Sequence, residues 1–151
     1  MLHKEITLLR NKKVNIDYFI KTRYNAGIVL NGWEVKSIKK KKFQILNSYV
    51  TVKSGELYVI GMYINCLHNK YDSSLNFRTR KLLLNKYEIK KILDLKNKTN
   101  ISIVVTKCFI KKNFVKLEIA VVQGKKKYDK RNDIKNKDWE KKSAAIMKKF
   151  Q

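Results

Sequence analysis

The clearest pattern in the chain is Phe114-Val115-Lys116-Leu117-Glu118-Ile119-Ala120-Val121, where Val115, Leu117, Ile119 and Val121 alternate with mostly polar neighbours. A period of two is that of a half-buried strand. The preceding run Ile101 to Phe109 is β-branched and apolar, and Lys111-Lys112-Asn113 between the two is a polar turn, so the pair reads as a long hairpin. A second hairpin is predicted from Ser48 to Val52 and Leu57 to Met62 around Lys53-Ser54-Gly55-Glu56, with Gly55 at the permissive turn position. Tyr18 to Leu30, rich in Tyr, Phe and Ile, is a further strand. Trp33 to Ile38 forms a short helix and Asn85 to Leu95 a longer one, in which Ile89, Ile92 and Leu93 follow helical spacing, Lys86, Lys90 and Lys91 point outward, and Asn85 is the N-cap. Five or six strands interrupted by two helices predict a mainly β fold with flanking helices, an OB-like closed β-barrel.

After residue 123 the strand pattern stops. Residues 1–123 form the expected barrel, and residues 124–151 a basic C-terminal tail. In the tail Trp139, Ile146 and Phe150 fall on one helical face among Lys135, Lys137, Lys141, Lys142, Lys148 and Lys149. Such a segment is too sparsely apolar to fold alone, so it is expected to be disordered when free and helical on a polyanionic partner. A solubilising tail and a membrane-surface helix are the alternatives; Trp139, costly to expose, favours a partner.

Charge sharpens this division. The 151 residues carry 36 Lys+Arg against 12 Asp+Glu, a formal net charge of +24. The body accounts for +17 over 123 residues and the tail for +7 over 28, so the tail is nearly twice as basic per residue. Lysines and arginines that neutralise phosphates release counterions, which points to nucleic acid. Only five of the 36 are Arg, however, and an excess of Lys alongside many Asn and Ile and no Pro is what codon bias produces on any surface. The informative cations are then the scarce ones. Arg78-Thr79-Arg80-Lys81 precedes Leu82-Leu83-Leu84, and a guanidinium retained where Lys is the default suits bidentate phosphate or base contacts. Pairing of these Arg with carboxylates is the other reading, and the less favoured one. Leu82 and Leu84 are expected in the core, with Leu83 facing out if the stretch is extended. The run Lys39 to Lys42 reads as a solvated loop.

Catalytic and metal-binding chemistry finds little support. The body carboxylates Glu5, Asp17, Glu34, Glu56, Asp72, Glu88, Asp94 and Glu118 form no D-x-D or E-x-x-H pair, and His3 and His68 stand in polar surroundings. A two-metal nuclease would need several convergent acids. No enzyme, metal or cofactor is therefore expected. Cys66 and Cys108 lie far apart with no second ligand at metal spacing and read as reduced thiols. The longest apolar stretches fall well short of a membrane span, and the N-terminus lacks a signal-like apolar region, so the expectation is a cytoplasmic protein that does not engage a membrane.

One ordered set of motifs goes further. Asn11-Lys12-Lys13, Asp17-Tyr18-Phe19-Ile20, Ala26-Gly27-Ile28-Val29-Leu30, Gly32-Trp33-Glu34-Val35-Lys36-Ser37, Asn47-Ser48-Tyr49, Gly55-Glu56-Leu57, Arg78 to Leu84, and Gly124-Lys125-Lys126-Lys127-Tyr128-Asp129-Lys130-Arg131 resemble, in order and spacing, the SsrA-binding protein (SmpB) family over about Leu9 to Lys149. The resemblance implies an OB-like barrel that binds the tRNA-like domain of transfer-messenger RNA. It also implies delivery of that RNA, with elongation factor Tu bound to its charged end, to stalled ribosomes. There the tail occupies the decoding centre and the empty mRNA channel, and the protein acts as a monomer.

Carried over residue by residue, the implied RNA-binding set is Asn11, Asn25, Arg78, Arg80, Lys81, Leu83, Lys125 and Lys126. The implied ribosome-binding tail is Tyr128, Asp129, Lys130, Arg131, Trp139, Ile146, Met147 and Lys148. Three departures accompany the match: Asn25 replaces a usual acidic residue, Asn76 a usual Pro, and a Gly common after the first helix is absent from Lys39 to Lys42. A generic ribosome-associated OB-type RNA-binding protein is the alternative within binding modules.

Overall fold

The computed structural model describes residues 4–66, 73–98 and 100–149. The expectations that touched His3, His68, Asp72 and Phe150 lie outside the described residues. The chain is mainly β with flanking helices: β1 (Ile6–Arg10), α1 (Val14–Asp17), β2 (Tyr18–Ile28), α2 (Gly32–Lys39), β3 (Phe43–Gln44), β4 (Tyr49–Lys53), β5 (Glu56–Ile60), β6 (Tyr63–Ile64), a 3-10 turn (Ser73–Phe77), β7 (Arg80–Leu83), α3 (Lys86–Lys96), β8 (Ile101–Lys111), β9 (Phe114–Gly124) and α4 (Lys127–Lys149). Seven strands make one antiparallel sheet in the order β1-β8-β4-β5-β7-β2-β9, with β9 also paired to β8; β3 and β6 pair separately.

Both predicted hairpins form, and both close through two-residue turns. Lys53 pairs with Glu56 across Ser54 (φ 52°) and Gly55 (φ 74°), and Lys111 pairs with Phe114 across Lys112 (φ 53°) and Asn113 (φ 64°). Two consecutive positive φ values give the turn whose twist matches that of paired strands.

The main core takes Val115, Leu117, Ile119 and Val121 from β9, as the alternation requires, together with Ile103, Val105 and Cys108 from β8 and Ile38, Leu57, Val59, Leu82 and Ile92 from other elements. A smaller core on the opposite face holds Val14, Val104, Ala120 and Val122, with Tyr18 and Ile20 against it. Two bulges make this possible. In β2, Ile20 pairs with Val122 but Thr22 with Val121, so Tyr18 and Ile20 face the small core while Tyr24, Ala26 and Ile28 face the large one. In β8 the register slips between Val105 and Lys107, which returns Cys108 to the side of Val105 and leaves Thr106 to donate its hydroxyl to Glu118 Oε2 at 2.7 Å. An extra residue in one strand reverses the facing of everything after it.

The helix α2 ends where the sequence lacks its expected glycine. Lys42 N donates to Ser37 O and Lys41 N to Ile38 O, both at 2.9 Å, the bonding of a Schellman terminus. The residue that must then adopt left-handed backbone is Lys41, at φ 59°. The other lost turn former is offset locally: Asn76 Oδ1 accepts the backbone N–H of Cys66 at 3.0 Å, a bond no Pro side chain can make. α3 begins as expected at Asn85, whose N–H is capped by Glu88 Oε2 at 3.1 Å, and it packs Ile89, Ile92 and Leu95 on the core. No helix among the described residues is long and apolar enough to cross a membrane.

Candidate nucleic-acid interface

β7 sorts the Arg78 to Leu84 motif by parity. Leu82 is buried and Leu84 half-buried against the core, whereas Leu83 is 52% exposed. Leu83 lies opposite Gly27 of β2. A Cβ at Gly27 would sit 3.3 Å from Leu83 Cβ, so the absent side chain leaves room for the leucine to stand out of the sheet. On the same outward face, Lys81 is paired to Glu56 at 2.8 Å, and Tyr58 donates to that carboxylate at 2.9 Å. The Lys81 bond, with the tyrosine bond second, holds Glu56 below the usual carboxylate range, and Glu56 in turn raises Lys81. Asn25 is exposed, two residues from Gly27, and faces Glu118 across the β2–β9 register. The carboxylate of Glu118 accepts from the Thr106 hydroxyl at 2.7 Å, which puts an acid on the strand next to Asn25.

The two arginines of the motif behave otherwise than expected. Arg80 is fully buried. Its Nε donates to Glu34 Oε2 at 2.5 Å, its Nη1 to Met62 O at 2.8 Å, and its Nη2 to Leu75 O and Asn76 O at 3.4 and 3.3 Å. Arg78 grips the other oxygen of Glu34 from Nε at 3.0 Å and Nη2 at 2.6 Å. Burial pushes the Arg80 guanidinium down, and its bond to Glu34 opposes that. The expectation that Arg80 and Arg78 offer an open phosphate fork is corrected. A buried carboxylate on α2 has to be paired, and these arginines are its partners, tying α2 to the 3-10 turn and β7. Glu34 went unassigned in the sequence because its partners lie 44 and 46 residues away.

Asn11 is 7% exposed between β1 and α1, and its backbone N–H donates to Thr106 O of β8 at 2.8 Å. Its Nδ2 donates to Leu46 O at 3.4 Å, while its Oδ1 is buried without a hydrogen-bond partner. Asn11 lines a cleft of about 260 Å³ together with Lys13, Asp17, Leu46, Ser48 and Tyr49. It also lines a second cleft with Arg10, Arg23, Thr106 and Glu118, and since Glu118 pairs with Asn25, only β8 and β9 lie between Asn11 and the Asn25 position.

The tail starts beside that cleft. Lys125 is not an open RNA contact, a second correction: its side chain is 8% exposed and its Nζ bonds Asn15 O at 2.9 Å and the Asp133 carboxylate. Lys126 is exposed. α4 takes the helical form that the spacing of Trp139 and Ile146 predicts; its body contacts lie chiefly at α1, and none of its residues is buried. Tyr128, Trp139, Ile146 and Met147 are 73%, 71%, 57% and 71% exposed, and Arg131 and Lys148 are exposed as well. Asp129 and Lys130 are partly covered. No cluster of His, Cys, Asp and Glu able to hold a metal occurs among the described residues.

Known proteins resemble this chain over nearly its whole length. The profile of the SmpB protein family matches residues 8–149. The SsrA-binding protein of Coxiella burnetii is 42% identical over 144 residues, spanning 94% of this chain and 91% of its own length. That of Methylobacillus flagellatus is 37% identical over 150 residues, 96% of each chain. A solved structure described as "tmRNA-SmpB: a journey to the center of the bacterial ribosome" superposes with a TM-score of 0.66 at 30% identity, over 83% of this chain and 93% of that one. With nearly its whole length matched in sequence and most of it in structure, the chain belongs to the SmpB family of SsrA-binding proteins.

Proposed function

We propose that this protein binds the tRNA-like domain of transfer-messenger RNA and delivers it to stalled ribosomes for trans-translation, with the tail entering the decoding centre and the empty mRNA channel. The observation that carries the reading is the family match across 8–149, which includes the tail. The protein acts as a cytoplasmic, monomeric, non-enzymatic adaptor that meets elongation factor Tu only through the charged RNA. The pairing order β8, β4, β5, β7, β2, β9 ends on a strand that pairs with β8 again, which supports an OB-like closed barrel with the tail as its appendage. The RNA surface comprises Asn11, Asn25, Lys81, Leu83 and Lys126, engaging folded RNA by shape, phosphate and 2′-hydroxyl contacts. On the ribosome, the contacts come from Tyr128, Asp129-Lys130-Arg131, Trp139, Ile146, Met147 and Lys148.

Leu83→Asp tests the RNA surface. The side chain is half exposed, so the change is expected to leave stability within about 0.5 kcal/mol of wild type. Affinity for the tRNA-like domain, read by gel shift at fixed salt, is expected to fall at least about tenfold, since a charge placed in a contact region costs about 1.4 kcal/mol or more. Unchanged affinity would contradict the assignment. Excess unrelated tRNA as competitor separates this function from that of a generic OB-type RNA-binding protein.

A further inference from the structure

We infer that Arg10 and Arg23 form a phosphate-binding fork in the cleft between β1 and β2, and that it takes a backbone phosphate of the tRNA-like domain beside Asn11 and Asn25. The identity of the RNA rests on the function proposed above; the anion site itself does not.

The chain has five arginines among its 36 basic residues, and the fold commits them unequally. Arg78 and Arg80 are taken up by Glu34, and Arg131 belongs to α4. Arg10 and Arg23 are both exposed, and among the described residues neither is paired with a carboxylate. A guanidinium carries five N–H donors in a planar fork. One left without a carboxylate is suited to bidentate contact with a phosphate, which a lysine amine meets only as a point charge.

The sheet brings these two together. Cross-strand pairing runs in one row from Arg10 of β1 to Lys107 of β8, Glu118 of β9 and Asn25 of β2, and Arg23 lies two residues before Asn25, on the same face of its strand. Arg10 and Arg23 line one cleft of about 130 Å³ with Asn11, Lys12, Thr106 and Glu118. Its charges favour an anion. Lys107, next in the row, is neutralised by Glu5, and the Glu118 carboxylate already accepts the Thr106 hydroxyl. Against that single acid stand Arg10, Lys12 and Arg23, all exposed. The cleft therefore offers the open guanidiniums that the Arg78 to Lys81 motif, closed on Glu34 and Glu56, does not.

The test measures binding of the full chain to the tRNA-like domain as a function of salt. Arg10→Gln and Arg23→Gln are each expected to weaken binding about tenfold and to make the slope of log affinity against log salt shallower by about 0.7–0.9, one phosphate contact apiece. Both side chains are exposed, so urea midpoints are expected to stay at the wild-type value. The double variant Arg10→Lys, Arg23→Lys keeps the charge and is expected to keep the slope, yet to lose about fivefold in affinity because the planar fork is gone. Lys53→Gln, exposed at the β4–β5 turn, removes one charge elsewhere and is expected to change affinity less than about twofold. An unchanged slope in both glutamine variants, or a loss in Lys53→Gln equal to theirs, would overturn the site. A lysine double variant that binds as tightly as wild type would overturn the fork. Full RNA affinity with tagging lost on stalled ribosomes would place the arginines on the ribosome and overturn their assignment to the tRNA-like domain. Should wild type bind an unrelated tRNA as tightly as the tRNA-like domain, the proposed function would fail, while the same slope changes on either RNA would still support the phosphate site.

Discussion

At the scale of single residues, Arg80 and Lys125 carry the same lesson. Both stand in motifs that match the family, and both are cations that composition alone assigns to a polyanion. Arg80 instead neutralises Glu34 inside the protein, with no exposed surface. Removing one partner of a buried pair leaves the other charge uncompensated, so Arg80→Ala is expected to cost about 3–5 kcal/mol in urea denaturation. Loss of RNA binding with full stability would contradict that role. Lys41 makes the opposite prediction. It holds a left-handed conformation at φ 59°, which costs an L-residue about 1–2 kcal/mol and glycine almost nothing. Lys41→Gly should therefore stabilise the protein by about 1 kcal/mol, visible as a higher denaturation midpoint at constant slope; a fall in the midpoint would refute the helix-terminus account. Cys108 offers a check by pH. Burial pushes its thiol from 9.0 up to about 12, so between those values the folded protein keeps a proton that the unfolded chain has lost. Its contribution favours the folded state below about pH 9 and is lost as pH rises above it. At pH 8, alkylation of Cys108 is expected only after unfolding; rapid modification of the native protein would show the core to be open there.

At the scale of elements, the long strands, both hairpins and both longer helices of the body were legible because each carries its own periodicity or turn chemistry. What escaped were β1, five residues whose Leu8 and Leu9 are only partly buried and show no clean alternation, and the short pieces. β3 and β6 are two residues each and α1 four, too short for any period to develop. The bulges escaped for another reason. Even-numbered residues from Tyr18 to Ile28 look like one face in sequence, and only pairing with β9 shows that they serve two cores. Leu83 was legible because alternation in an extended stretch puts it opposite Leu82 and Leu84. The helical tail was half legible: its spacing predicts a helix, but the ties at its start, from Lys125 to Asn15 and from Lys130 to Asp17, span 110 and 113 residues of chain.

At the scale of the whole molecule, the charge of +24 is sorted by the fold. Arg78, Arg80 and Lys125 face inward partners, Lys81 is balanced by Glu56, and Lys39 to Lys42 form a solvated turn. Exposed cations remain beside the sites named for RNA: Arg10, Lys12 and Arg23 around Asn11 and Asn25, and Lys126, Arg131 and the lysines of α4 near and beyond the junction. Binding is accordingly expected to weaken with salt, as counterion release requires, yet to select one RNA, which a diffuse polycation would not do. The direct measurement is to isolate the protein from its host with its bound RNA and sequence that RNA. The account predicts transfer-messenger RNA enriched far above its cellular share; recovery of ribosomal and transfer RNAs in proportion to their abundance would contradict it.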